Sequence, residues 1–93
     1  MAGVWIRLMK KNRIMKDVIM ECGMEDWEHA VEEGARRLDV ARPLVLPKHE
    51  RDFAEFNQTR FLGEHFMEEV PFDRMEVEWV DPDRRKKTNE KYL

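Results

Sequence analysis

The sequence contains no serine and a single cysteine, Cys22. A serine nucleophile is therefore excluded, and one thiol makes neither an intramolecular disulfide nor a zinc site of the usual Cys/His kind. A reducing, cytoplasmic setting is the expectation. Glycine and proline number four each, and no glycine cluster has the spacing of a phosphate-binding loop or a dinucleotide fingerprint, which removes enzymes that use NTP or NAD. Long apolar runs are also missing. The most apolar N-terminal stretch, Val4 to Leu8, is interrupted by Arg7, which argues against a membrane span or a secretory signal. Leu, Ile, Val and Phe contribute 22 of 93 residues. That fraction is just above the roughly 20% below which chains stay disordered, so the core is thin and a large buried active site is not expected.

What the sequence has in quantity is charge, at 40% of its residues, with a net charge of −3. The charge is blocky. Residues 1–16 carry five bases and no acid, and residues 17–33 carry seven acids and no base. Residues 34–60 hold six bases against four acids, residues 61–83 eight acids against Arg74, and residues 84–93 five bases against Glu90. A protein that wraps duplex nucleic acid through overall positive charge is disfavoured by this balance.

Alternation of Val4, Ile6 and Leu8 with Trp5, Arg7 and Met9 predicts a half-buried strand, and Lys10 to Arg13 a tight turn in which Asn12 accepts a positive φ. Ile14 to Cys22 follows as a second strand, with the adjacent Val18 and Ile19 suggesting a bulge, so residues 4–22 read as a β-hairpin. Gly23 breaks it, and Asp26 is the expected N-cap of a helix. The helix carries Trp27, Ala30, Val31, Gly34, Ala35 and Leu38 on one face, with Glu32/Arg36 and Glu33/Arg37 at i, i+4. Gly34 would let this helix approach a sheet closely. Leu44-Val45-Leu46, between Pro43 and Pro47, is the expected short third strand, residues 48–58 a short second helix, and Met75 to Val80 a strictly alternating final strand. Residues 59–72 have no single reading. Arg84 to Leu93 reads as a basic, disordered tail beyond a domain of residues 3–83. The expected fold is α+β: a small, mostly antiparallel sheet with one main and one short helix packed on it.

Candidate chemistry is sparse. His29, His49 and His65 share no i, i+4 spacing; His65 and Glu68 form the one helical pair that resembles two metal ligands, and the preferred reading of all three histidines is solvated surface. Cys22 reads as a buried, inert thiol. No catalytic, cofactor-binding or metal-binding residue is expected, and an enzyme would need a composite site formed across a dimer interface. The basic hairpin offers Arg7, Lys10, Lys11, Arg13 and Lys16, beside Trp5, as a nucleic-acid ribbon. Three Trp, five Phe and seven Met exceed what one helix on a small sheet buries, which favours a non-enzymatic protein-interaction module, with a homodimer as one form of it in which surplus apolar area on the second sheet face pairs. Trp5, Met9, Met15, Phe61 and Phe66 are its candidate contacts.

One resemblance bears on the domain limits. Arg37-Leu38-Asp39, Pro43, Leu46, Phe53, Thr59-Arg60-Phe61, Phe66, Glu68-Glu69, Phe72-Asp73 and Glu76, behind the hairpin VWIRLMKKNRIMKD, make the chain similar to a group of small uncharacterised proteins from clostridial and related bacterial genomes. The likeness covers about residues 3–80. It implies a single cytoplasmic domain and carries over no functional residue.

Overall fold

In a computed structural model that describes residues 2–81, the chain opens with a β-hairpin whose two strands are β1 (Gly3–Lys10) and β2 (Arg13–Glu21). Lys11 and Asn12 both take left-handed backbone, φ 52° and 62°, which is the requirement of a two-residue turn matched to the twist of the strands. The Lys11 N–H donates to the Asp73 carboxylate at 2.8 Å, and Arg74 donates to the Asn12 side-chain oxygen, so the turn is tied to the chain that follows much later. The hairpin does contain a bulge, at a different place from the one expected. Leu8 pairs with Lys16 and Met9 with Ile14, which leaves Met15 as the extra residue.

After a short 3-10 turn (Met24–Asp26) come α1 (Trp27–Arg37) and α2 (Pro47–Phe56), then β3 (Gln58–Leu62), a second 3-10 turn (Gly63–His65) and β4 (Arg74–Val80). All pairings are antiparallel and the strand order is β2-β1-β4-β3. Thus the α+β class, the hairpin, both helices and the final strand stand as read from the sequence. The third strand does not. Pro43 and Pro47 remove a ladder donor from each end of residues 44–46, and the backbone bonds of this extended stretch run from Leu44 N–H to the His65 carbonyl at 2.8 Å and from His49 and Glu50 N–H to the Leu46 carbonyl, not to a neighbouring strand. The strand lies instead at Gln58–Leu62, where Thr59 and Phe61 face inward and Gln58, Arg60 and Leu62 outward. The basic tail of residues 84–93 lies outside the described residues.

Both helices pack on one face of the sheet. Val4, Ile6 and Leu8 of β1, Phe61 of β3 and Met75 and Val77 of β4 form the floor of the core, and Trp27, Ala30, Val31, Ala35 and Phe53 its roof. Trp27 and Phe53 stack at 4.2 Å and 7°, which joins the two helices. A Cβ on Gly34 would collide with Ile6 Cδ1 and crowd Met20 and Val18, so the glycine sets the closeness of α1 to the hairpin. Asp26 occupies the N-cap position of α1 without a side-chain cap bond. Glu33 pairs with Arg36 and Glu32 with Arg42 at 3.3 and 3.1 Å, in place of the i, i+4 pairs expected. Among the described residues no helix is long and apolar enough to cross a membrane.

Candidate interaction surface

The sheet face opposite the helices is polar. Cross-strand partners share a face, so the pairings Trp5↔Ile19, Arg7↔Asp17, Arg7↔Glu76 and Trp5↔Glu78 place these six side chains together on it. Arg7 sits at their centre, with its side chain 14% exposed. It contacts Glu76 at 3.1 Å and Glu78 at 3.0 Å, while Arg74 holds the other oxygen of Glu76 at 2.7 Å. The Arg7 guanidinium lies 4.2 Å over the Trp5 ring, and the Trp5 indole N–H donates to Asp17 at 2.9 Å. Burial pushes the Glu76 carboxyl up, but the hydrogen bonds and charges of Arg74 and Arg7 outweigh it and hold the group below the usual carboxylate range. A charge network occupies the centre of this face, because Arg7, Glu76 and Glu78 take the outward positions of the two central strands, while exposed apolar area on it lies toward β2, at Ile14 and Ile19.

The same network separates the candidate nucleic-acid residues. Arg7 is neutralised by two carboxylates, and Lys16 reaches back toward the Leu38 carbonyl at 3.5 Å. Lys10, Lys11, Arg13 and Lys16 are exposed around the hairpin tip, whereas Arg7 is held inside the network on the outer face. Of the candidate contact residues, Phe61 and Phe66 lie in the core cluster and Met9 is buried, which removes them from any interface. Inward alternation along β3 took Phe61, and an edge-to-face contact with Phe72 at 5.3 Å took Phe66. Trp27 is core and Trp79 packs against it; Trp5 alone of the three belongs to the outer face.

Met15 does reach solvent, and it has company that the sequence reading left out. Ile14, Met15 and Ile19 of β2 are 48%, 44% and 60% exposed. Strand β2 is the outer strand of the sheet, nine residues long, and only Val18 and Met20 along it are half-buried, under α1. One side of its backbone pairs with β1; the other side has no strand beside it among the described residues. The signal is present in the run Ile14-Met15 and in Ile19; the sequence singles out Met15 as a contact, but the adjacent Val18 and Ile19 suggest a bulge there and not an exposed apolar line.

The histidines depart furthest from expectation. His29 is exposed, whereas His49 and His65 are buried, with their rings edge to face at 4.6 Å and His49 also against Phe61 at 4.2 Å. Each arises from the same local motif. In Leu46-Pro-Lys-His49 and Leu62-Gly-Glu-His65, the first residue's backbone N–H donates to the histidine Nδ1 at 2.9 Å, the return half of a capping box. An accepting Nδ1 leaves the proton on Nε2, so neither ring offers a free Nε2 lone pair to a metal. Burial, then the facing His65 and Lys48, push the His49 pKa below its ordinary value; Asp52 and the Arg60 backbone oppose the shift. Glu68, the residue that with His65 comes nearest to a pair of metal ligands, is exposed. Cys22 is half-buried, and burial, followed by Asp26 and Glu25, pushes its thiol up, which keeps it protonated and unreactive.

The most pronounced surface hollow, lined by Glu32, Arg36, Asp39, Arg42 and Glu68, is open and charged, and the unpaired buried Nε2 of His49 does not border it. Protein-family models, curated proteins and solved structures return no match to the chain, and so leave the clostridial likeness an expectation.

Proposed function

We propose that the chain is a non-enzymatic protein-interaction module that binds an extended segment along the outer edge of β2. The observation that carries this reading is the combination of an unpaired strand edge with three exposed apolar side chains, Ile14, Met15 and Ile19. Backbone donors and acceptors on such an edge supply affinity in strand addition, and the alternate side chains supply specificity. Edge strands that must stay unpaired carry charges and bulges. Strand β2 carries both, in Arg13, Lys16 and the extra residue Met15, but it also keeps apolar side chains beside them. The combination restricts which strand can add rather than forbidding addition.

A photo-crosslinking residue in place of Ile19, compared with one at the still more exposed Met67, outside β2, tests the reading in cells that express the protein. Adducts from position 19 should map to one contiguous segment of a partner chain, with none from position 67. Equal, scattered adducts from both positions would remove the proposal. Ile14→Lys, combined with the crosslinker at position 19, should abolish the adducts while leaving the thermal unfolding transition in place.

A further inference from the structure

Strand β2 is polarised along its length. At its start, around the turn, stand Lys10, Lys11 and Arg13, all exposed. At its end, running into the first 3-10 turn, stand Glu21, Glu25 and Asp26, also exposed. Between them lie the exposed Ile14 and Met15 toward the basic end and Ile19 toward the acidic end. A segment that pairs antiparallel with this edge must therefore offer acid, an apolar residue, an apolar pair and base in the reverse order. Strand β2 of another copy offers that order.

Resting on the reading of β2 as a docking edge, we infer that its occupant is a second copy of this chain. The two β2 strands pair antiparallel about a two-fold axis near Asp17 and join two four-stranded sheets into one. The arrangement sets the basic hairpin tip of each copy against the acidic strand end of the other, twice per dimer. It brings Ile19 of one copy to the Ile14 and Met15 side chains of its partner. A parallel arrangement would set tip against tip and acid against acid. At the axis, Asp17 is engaged by the indole N–H of its own Trp5, and Lys16 adjoins it with the opposite charge. The outer faces of the two sheets, with their Arg7 and Glu76 networks, become one continuous surface, and the four helices lie together on the other side.

Charge reversal at one end of the strand tests this directly, because a two-fold contact responds to it in a way that no other partner does. In the tip variant, Lys11→Glu with Arg13→Glu, both contacts of the dimer become acid against acid. In the base variant, Glu21→Lys with Glu25→Lys, both become base against base. Each variant alone should dissociate at least about tenfold more readily than the parent chain. An equimolar mixture should recover the parent affinity, since every tip then meets a base of opposite sign. Sedimentation equilibrium under a reducing agent, which keeps Cys22 from cross-linking, reads all three, and circular dichroism confirms that each variant is folded. A parent chain that stays monomeric at every concentration, variants that dimerise like the parent, or a mixture that stays monomeric would each overturn self-pairing. The crosslink from position 19 separates that result from failure of the docking edge itself: an adduct to a different protein leaves the edge standing and removes only the second copy.

Discussion

His49 is held by three neighbours that have no use for a charge: the Phe61 ring, the edge of His65 and the Leu46 N–H on its Nδ1. Its pKa is lowered in the fold, so on acidification the unfolded chain takes up the proton first. Stability is then whole above the ordinary value of 6.5 and falls as the pH drops from there toward the folded pKa. Urea unfolding at pH 7.5 and 5.5 should show a clear loss for the parent chain and a smaller one for His49→Asn. In that variant the side-chain oxygen still caps Leu46 but does not titrate. Equal losses would mean that the proton goes elsewhere. Arg7 makes the matching case among the carboxylates. Arg7→Met removes a hydrogen bond and an ion pair to Glu76 and should raise its titration midpoint, read from the side-chain carboxyl carbon by NMR. Neither environment was legible from the sequence. A histidine three residues after a leucine looks like any polar residue in a helix start, and only the meeting of residues 46–49 with residues 62–65 in space takes both rings out of water.

The elements that followed from periodicity are those whose buried faces repeat without interruption. Trp27, Ala30, Val31, Gly34 and Ala35 lie buried on α1 as their spacing requires, and the alternation of β4 buries Met75 and Val77. Gly34→Ala tests how tight this packing is. The variant gains about 1 kcal/mol of helix propensity, but overpacking against the fully buried Ile6 costs roughly 1–3 kcal/mol. A net loss in denaturant unfolding is expected, and a gain would show that α1 moves freely over the hairpin. At the other end of α1, Asp39 takes left-handed backbone, φ 60°, and its N–H and that of Val40 close the helix onto the Arg36 and Ala35 carbonyls. A charged, branched residue stands there where glycine is favoured, at the negative end of the helix dipole. Asp39→Gly should therefore stabilise the chain by about 0.5–1 kcal/mol, measured the same way. The third strand escaped the sequence reading for the opposite reason. Its two inward residues, Thr59 and Phe61, are too few to set a period, and a leucine-rich stretch between prolines resembled a strand more closely than it did.

For the molecule as a whole, the apolar surplus that suggested an interface is real but sits elsewhere than composition implied. Counting aromatic and methionine residues cannot separate an outer strand from a buried one, and most of the surplus went into the core through Phe61, Phe66 and Phe72. What is left outside includes scattered residues such as Phe56 and Met67 and a narrow apolar line along β2; the charges of opposite sign at the two ends of that line make the expected association sensitive to ionic strength. Raising salt from about 0.05 to 0.5 M shortens the screening length several-fold, and should weaken self-association of the parent chain and rescue the two charge-reversal variants from repulsion. Sedimentation at the two salt concentrations reads both effects.

The strand order has a consequence for how the protein comes into being. β4, the last of the described strands, does not add to the rim of the sheet but lies between β1 and β3, pairing Gly3 with Val80 on one side and Phe61 with Met75 on the other. A ribosome delivers the hairpin, both helices and β3 long before the piece that links them. Until residues 74–80 emerge, the nascent chain is two half-sheets, each with a bare inner margin, Ile6 and Leu8 at one and Phe61 at the other. The β1–β4 pairing closes a loop that spans nearly the whole described chain, so the sheet is completed by contacts of high sequence separation, the kind that slow folding.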